Sequence, residues 1–330
     1  MRAPIADLGR VAGLRELWAR HTLRAPFDRA VAVPTRVLLD TLGLGLEQTL
    51  RHLASARPDF DAFLGWIAAT AGPPDRDRIA RYAAWHDSAP PPPAETARQA
   101  AVMAHPPVFT AAERATWERD GVVVLRQAIA RDEAAAIAAH LWDLLGASPD
   151  DPDSWYGSRT NGIMVQHFQH ASMDVPRRAV RVARGFGELY GHADLIVSTD
   201  RLSFNPPERA DFRFPGPHLH WDASLTPPIP FETQAILYLT DTDADQGALR
   251  VVAGFHHRLA EGWLAALDGA DPRTVDLSPD AVTVPGGAGD LIIWRHEIPH
   301  GASPNRHDRP RLAHYVNHYP MHWPDTRTWL

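Results

Sequence analysis

The sequence predicts an α+β protein in which helices fill about the first hundred residues and a closed or two-sheet β architecture, such as a jelly roll, follows. Two observations lead to this fold class. Apolar residues recur at helical spacing before residue 88, and short β-rich runs separated by Pro, Gly and Asp clusters fill the chain beyond residue 157. Between the two parts, residues 88–93 include four consecutive prolines, which favour a stiff polyproline connector.

The helical part contains two amphipathic stretches. Pro34 lies near the predicted start of the first stretch, Pro58 ends it, and the second runs over residues 60–67. We place a boundary at the connector, so that residues 1–100 form a helical N-terminal extension and residues 101–330 form a β domain. Catalytic residue types are not concentrated in the extension, and we expect it to serve packing or oligomerisation. The first stretch is defined by six apolar residues: Val37, Leu38, Leu42, Leu46, Leu50 and Leu53.

The β domain is expected to begin with a helix, a short strand at residues 122–125 and a long helix over residues 131–145. Further strands are predicted from β-rich runs bounded by turn residues. These strands cover residues 195–197, 235–239, 248–252, 281–284, 291–294 and 312–316.

Composition excludes several kinds of chemistry. The chain has no Cys, and all 33 of its basic residues are Arg, so there is no Lys. It therefore has no thiolate nucleophile and no Cys-based zinc site, and it can form neither a lysine Schiff base nor a Walker-A phosphate site. His, Asp, Glu, Arg and hydroxyl groups remain to carry a reaction, together with any metal that they bind.

Charge and hydropathy limit the possible partners. The formal net charge of −7 argues against binding to nucleic acid or to an anionic membrane, and no apolar run approaches the ~20 residues of a membrane span. The N-terminal segment carries charges of both signs and lacks the unbroken apolar run of a signal peptide. We therefore expect a cytoplasmic protein that acts on a small molecule, and its N-terminal helices could mediate formation of a homodimer.

Residues 217–222 hold the densest set of metal-binding side chains. In a strand, residues two apart point to the same face, so His220 and Asp222 would project together, and His218 could join them. His300 follows the strand predicted at residues 291–294. Two His and one carboxylate from distant strands are typical of the non-haem Fe(II) facial triad, which leaves coordination positions open.

A cation on a neighbouring strand strengthens this interpretation. Along residues 309–317, alternation places Arg311, Tyr315 and Asn317 on one face of a strand. A dicarboxylate that chelates iron at one end needs a cation for its other end, and the planar Arg fork matches a carboxylate.

Five blocks in order now make the sequence recognisable over roughly residues 109–320. It resembles the phytanoyl-CoA dioxygenase (PhyH) family of Fe(II)/2-oxoglutarate-dependent oxygenases. The blocks are residues 109–126, 202–207, 220–222, 247–256 and 289–311.

The resemblance implies a fold and a site. The fold is a double-stranded β-helix core, of jelly-roll or cupin type, with flanking helices. The site would use Fe(II), 2-oxoglutarate as co-substrate and O2, with His220, Asp222 and His300 as iron ligands and Arg311 on the distal carboxylate of 2-oxoglutarate. The following Pro310 and the strand alternation favour Arg311 over Arg309. We also expect the cofactor-binding residues to include Leu202, Ser303, Tyr315 and Asn317.

The reaction implied is hydroxylation of an aliphatic C–H bond with release of succinate and CO2, although desaturation or ring closure would begin in the same way. Related halogenases have a small residue at the carboxylate position, so Asp222 favours a hydroxylase. Two other functions remain open. A zinc-dependent hydrolase could use His218, His220 and Asp222, although Ala223 stands where such enzymes place a further His. A non-catalytic binding protein could share the same fold.

Overall fold

The computed structural model of the protein describes residues 5–24, 32–73, 75–157, 160, 162–216 and 218–330. Its N-terminal part is helical, as the sequence predicts. The helices are α1 (Ile5–Leu8), α2 (Leu14–His21), α3 (Thr35–Leu42), α4 (Leu46–Ala56), α5 (Phe60–Ala71), α6 (Arg76–His86) and α7 (Pro93–Ala104).

Three of these helices show how the sequence sets their ends. Gly43 adopts the left-handed conformation (φ 72°) that ends α3, so the first amphipathic stretch forms two helices instead of one. The carboxylate of Asp59 accepts a hydrogen bond from the backbone N–H of Ala62 and caps α5. Pro93 occupies the first turn of α7, where a proline costs no helical hydrogen bond.

The proline-rich connector has no regular secondary structure over residues 89–92. The predicted boundary at residue 100 falls inside α7. We propose that the chain divides at residues 89–92 into an N-terminal extension and a β domain.

The β domain interleaves strands with helices. Its helices are α8 (Ala111–Asp120), α9 (Arg131–Leu145), α10 (Ala171–Arg178), α11 (Val180–Tyr190), α12 (Phe255–Ala260) and α13 (Trp263–Ala266). Its strands are β1 (Val122–Leu125), β2 (Met164–Val165), β3 (Ile196–Val197), β4 (Leu202–Asn205), β5 (Thr233–Tyr238), β6 (Leu249–Val251), β7 (Val282–Val284), β8 (Leu291–Arg295), β9 (His300–Ala302), β10 (Arg311–Tyr315) and β11 (His318–Tyr319). Short 3₁₀ helices cover Pro152–Tyr156, Pro272–Thr274 and Ser278–Asp280.

The strands form two sheets and a short ribbon, and every strand pairing in them is antiparallel. The larger sheet has the order β1-β8-β5-β10-β4-β2, the smaller has β7-β6-β9, and β11 pairs with β3. Because neighbours in a sheet are mostly not consecutive in the chain, the chain crosses repeatedly between the sheets. This is the topology of a jelly roll, and the predicted fold class of a double-stranded β-helix with flanking helices is confirmed.

Alternation along the strands separates two cores. On the outer face of the larger sheet, Leu202, Leu291 and Leu312 pack against helices α9 and α11. On its inner face, Ile236 and Ile292 pack against the smaller sheet. Full burial of one such side chain stabilises the fold by about 1.5–3 kcal/mol. The polar side chains of the inner face therefore lie in a cleft between two well-packed layers.

The extension has a hydrophobic core of its own. Leu38, Leu53 and Phe63 are buried there, and Ile196 and Tyr319 of the β3–β11 ribbon complete the cluster. The extension is therefore packed directly on the β domain, against the β3–β11 ribbon. Among the helices that the structure describes, none has the length and apolar character needed to cross a lipid bilayer.

Candidate active site

Three side chains predicted to bind metal converge between the two sheets. His220, Asp222 and His300 each offer a ligand atom, and these atoms all lie within 4.8 Å of one another. The Nε2 atoms of His220 and His300 are each 3.4 Å from an oxygen of Asp222. The segment around His220 is not a strand as expected; it is a loop held by one β-bridge between His220 and His300.

Backbone carbonyls fix the orientation of both imidazoles. Nδ1 of His220 lies 2.7 Å from the carbonyl oxygen of His218, and Nδ1 of His300 lies 3.2 Å from that of Ile298. A carbonyl only accepts hydrogen bonds, so each Nδ1 carries a proton and each Nε2 faces the cluster, where it can hold a proton shared with Asp222 or, once that proton is lost, bind a metal through its lone pair. Two imidazole nitrogens and one carboxylate oxygen, oriented in this way, are a suitable donor set for Fe(II).

A further hydrogen-bond chain holds the carboxylate. Nε2 of Gln234 donates to Oδ2 of Asp222 at 2.6 Å, and Nε1 of Trp294 donates to Oε1 of Gln234 at 3.2 Å. An indole N–H only donates, so this contact determines which end of the Gln234 amide faces Asp222. Gln234 and Trp294 together orient the side chain of Asp222, which is half exposed.

The cluster favours an ionised carboxylate. Burial alone would raise the pKa of Asp222, but hydrogen bonds from His220 and His300 outweigh it and hold that pKa well below its ordinary value. Burial would lower the pKa of His220, but its bonds to Asp222 and to the His218 carbonyl raise it overall. The cluster thus attracts positive charge, which protons supply when no metal is bound.

Arg311 lies in the same cavity, whose volume is about 240 Å³. Its side chain is 1% exposed, and one terminal nitrogen donates to Oγ of Ser203 at 3.0 Å. Its buried Nε has no hydrogen-bond partner among the described residues. A buried guanidinium with an unused donor calls for a further acceptor. Arg311 and Ser203 therefore fit the distal carboxylate of 2-oxoglutarate.

Tyr315 and Asn317 line the cavity too, on the face that alternation predicts for them. Burial raises the pKa of Tyr315, although the charge of Arg311 opposes the shift, so the phenol remains neutral and able to donate. The amide of Asn317 is already bonded to the backbone carbonyl and hydroxyl of Thr233. Tyr315 can therefore contact a ligand through its hydroxyl, whereas Asn317 forms part of the wall.

Two expected cofactor residues point elsewhere. Leu202 is fully buried in the core beneath the helices, because on β4 it faces outward and Ser203 faces inward. The hydroxyl of Ser303 donates to the carbonyl of Ala248 at 2.9 Å, so it joins β6 to β9, while Ala302 lines the cavity. Neither side chain lines the cavity, so the structure does not support the predicted role of Leu202 and Ser303 in cofactor binding.

His218 does not belong to the metal-binding cluster. Its imidazole packs edge-on against the ring of Phe214, with 5.9 Å between ring centroids, and only its carbonyl contributes to the site. The three-ligand set of a zinc hydrolase, which would need the His218 imidazole, is therefore not assembled.

Several residues that line or support the site were not foreseen from the sequence. Ser203, Gln234 and Trp294 lie on inner strand faces, where alternation could have identified them had the register been known. Arg36 reaches the cavity from α3, far away in the chain, and no local pattern signals such a contact.

Several solved structures are similar to this chain. The non-heme α-ketoglutarate-dependent carbocyclase SnoK from nogalamycin biosynthesis is 20% identical, with 65% of this chain and 85% of that chain covered and a TM-score of 0.47. AviO1 from Streptomyces viridochromogenes Tue57 is 17% identical, with 67% and 99% covered and a TM-score of 0.48. EvdO2 from Micromonospora carbonacea var. aurantiaca, complexed with 2-oxoglutarate, is 18% identical, with 67% and 95% covered and a TM-score of 0.47.

A family model supplies the assignment. The model of phytanoyl-CoA dioxygenase (PhyH) matches residues 117–313, which is more than half of the chain and includes His220, Asp222, His300 and Arg311. The chain belongs to the phytanoyl-CoA dioxygenase (PhyH) family.

Proposed function

We propose that this member of an Fe(II)- and 2-oxoglutarate-dependent oxygenase family hydroxylates an aliphatic C–H bond of a small organic substrate. His220, Asp222 and His300 would hold Fe(II), and Arg311 would bind the distal carboxylate of 2-oxoglutarate. One observation carries the proposal: a metal-binding cluster and a buried Arg with an unused donor line the same cavity.

The cofactors of this family are Fe(II), 2-oxoglutarate and O2, and when bound they supply an oxidant for C–H bonds while 2-oxoglutarate is converted to succinate and CO2. The chain contributes orientation. The His218 and Ile298 carbonyls keep the protons of both imidazoles on Nδ1, and Gln234 holds the Asp222 carboxylate in place. These contacts reduce the rearrangement needed when the metal binds.

The cavity wall also limits access of water. Ile236, Leu249 and Trp294 line it beside the cluster, and each is nearly fully buried. Apolar walls strengthen the ion pair that Arg311 can form, because solvent does not screen it. They also favour contact with an aliphatic part of the substrate.

Asp222 supports hydroxylation over halogenation. Its carboxylate faces both imidazoles at 3.4 Å and therefore occupies the position where a halide would need to bind. A hydrolytic zinc site receives no such support, because the His218 side chain packs against Phe214.

An anaerobic titration tests the proposal. Purified protein with Fe(II) and 2-oxoglutarate should develop the weak visible charge-transfer band of a chelated keto acid, and Asp222→Ala should abolish or shift it. His218→Ala is the matched control, because its side chain lies outside the cluster and its carbonyl is retained. If the wild-type protein shows no band and binds zinc instead, the oxygenase proposal fails.

A further inference from the structure

The N-terminal extension contributes a cation to the active-site cavity. Arg36, in the first turn of α3, lines the cavity together with the metal-binding cluster and Arg311. Its side chain is 45% exposed, whereas that of Arg311 is almost completely buried. The two guanidinium groups are held by different elements: Arg311 begins β10, whereas Arg36 stacks on Tyr319 of β11.

The arginines of this cavity differ in how they are paired. Arg201 contacts the carboxylates of Glu47 at 2.5 Å and of Asp200 at 3.2 Å, so its charge is matched within the protein. The nearest carboxylate oxygen to Arg36 belongs to Asp40 and lies 4.0 Å from Nε, at the limit of an ion pair. Among the described residues that line the cavity, Arg36 is the Arg without a closely paired carboxylate or other hydrogen-bond acceptor.

Asp40 is a weak counterion because its oxygens are already engaged. One accepts the backbone N–H of Thr199 and the other accepts the hydroxyl of Tyr319. Burial raises the pKa of Asp40, against the effect of Arg36, which weakens its negative charge further. Asp40 thus anchors α3 to the β domain more than it neutralises Arg36.

Stacking leaves the edge of the Arg36 guanidinium available. Its central carbon lies 4.2 Å from the centroid of the Tyr319 ring, so the ring covers one face of the group. The N–H donors of a guanidinium point outward in its plane, where a carboxylate can accept two of them at once. The stack therefore holds a donor fork in a fixed orientation.

The charges of the iron and 2-oxoglutarate site would balance one another once both cofactors are bound. The positive charges of Fe(II) and Arg311 would be matched by Asp222 and by the two carboxylates of 2-oxoglutarate. Arg36 takes no part in this balance: its nearest carboxylate oxygen, on Asp40, lies 4.0 Å away, and its half-exposed side chain lines the cavity.

We propose that Arg36 binds a carboxylate group of the substrate, so that the enzyme acts on an organic acid and the N-terminal extension supplies part of its specificity. This inference rests on the proposed function. It gives the extension a role that packing alone does not explain.

Matched pairs of carboxylate and amide test the proposal by calorimetry. Protein saturated with Fe(II) and 2-oxoglutarate without O2 is titrated with butyrate and butyramide, hexanoate and hexanamide, and benzoate and benzamide. Occupied Arg311 then cannot bind the probes. At least one carboxylate should bind about tenfold or more tightly than its amide, and Arg36→Gln should reduce that preference to less than about twofold. Arg51→Gln, an exposed change on α4 outside the cavity, should preserve it.

A second variant distinguishes loss of the substrate contact from misfolding of the protein. Arg36→Lys keeps the charge but loses the fork, and it should bind the preferred carboxylate more weakly than wild type and more tightly than Arg36→Gln. The proposal is overturned if no carboxylate is preferred over its amide in wild-type protein, if the preference survives in a folded Arg36→Gln, or if Arg36→Lys matches wild type. The charge-transfer band of the wild-type protein is recorded first. Absence of that band would count against the proposed function, whereas absence of a carboxylate preference in protein that shows it counts against this inference alone.

Discussion

His220 and His300 exchange both of their backbone hydrogen bonds, at 2.9 and 3.0 Å, across a single β-bridge. The bridge brings their imidazole centroids to 4.7 Å from each other and turns both Nε2 atoms toward Asp222. The main chain therefore sets the spacing of two proposed ligands before any metal binds. Such preorganisation reduces the ordering cost of binding, and it makes the site sensitive to the protons that occupy it.

Asp222→Asn should change the pH dependence of stability in the metal-free protein. Hydrogen bonds with the histidines lower the pKa of Asp222 below 3.8 and raise that of His220 above 6.5, against the effect of burial on each. The Asp222 contribution is present above pH 3.8 and is lost as pH falls through the lowered pKa. The His220 contribution is complete below pH 6.5 and is lost as pH rises through the raised pKa.

The wild-type advantage over Asp222→Asn should therefore be largest between these two pH values and smaller at about pH 8. Urea unfolding of both metal-free proteins at about pH 5 and pH 8 measures it. An advantage that is equal or greater at the higher pH would show that the cluster is not held by proton sharing.

Gln234→Ala should weaken metal binding without removing a ligand. The change frees Oδ2 of Asp222, which Gln234 contacts at 2.6 Å, and lets the half-exposed carboxylate rotate. Loss of such an orienting partner typically costs about 10–100-fold in metal affinity. Fluorescence titration with Fe(II) under anaerobic conditions measures the effect. Trp294→Phe, which removes the indole N–H to Gln234 together with part of the ring, leaves the Gln234 amide in place and should cause a smaller loss. Wild-type affinity in Gln234→Ala would contradict the role assigned to the amide.

How well the sequence predicts the inward-facing side chains differs from strand to strand. Arg311 and Tyr315 line the cavity, as alternation along the regular strand β10 predicts, and Asn317 continues the same alternation two residues beyond the strand end. Alternation does not identify the inward side chains of β4, because all four of its residues are buried. The prediction therefore named Leu202, whereas Ser203 faces the site. Strand burial on both faces removes the alternating signal that identifies an inward side chain.

Long-range contacts were harder to foresee. The β-bridge that joins His220 to His300 is formed by a loop that has no strand pattern of its own. Arg36 reaches the cavity only because α3 packs on the β3–β11 ribbon through Ile196 and Tyr319. Such contacts depend on how distant segments dock, which local spacing does not encode.

Arg311→Lys should raise the KM for 2-oxoglutarate. The side chain is 1% exposed, and a lysine ammonium cannot reproduce the planar fork that binds both a carboxylate and Ser203. Truncating one partner of a buried charge pair costs about 2–5 kcal/mol, and Lys retains the charge, so we expect a loss at the lower end, about 10–50-fold. Arg309→Lys is the matched control on the same segment. The rate of succinate formation at varied 2-oxoglutarate concentration gives the KM of each variant. An equal rise of KM in Arg311→Lys and Arg309→Lys would contradict the assignment of Arg311 to 2-oxoglutarate.

Gly45→Ala should loosen the junction between the extension and the β domain. Gly45 precedes α4 with an ordinary φ of −71°, so Ala meets no backbone strain there. A Cβ at this position would lie 2.3 Å from Cδ1 of Phe168, whose ring is 1% exposed and has little room to move. Overpacking of this kind costs about 1–3 kcal/mol of unfolding free energy.

Gly65→Ala, in the same extension, should instead raise the free energy of unfolding. Gly65 lies within α5, and apart from the neighbouring backbone of that helix no atom of the described residues lies within 4 Å of a Cβ built there, so Ala should stabilise the helix by about 0.5–1 kcal/mol. Urea unfolding of both variants separates the steric effect from helix propensity. Phe168→Leu should recover part of the loss when it is combined with Gly45→Ala, because the smaller side chain can move aside. If Gly45→Ala is as stable as wild type, Phe168 does not pack against the start of α4 as the structure has it, and the docking of the extension that brings Arg36 to the cavity would lose its support.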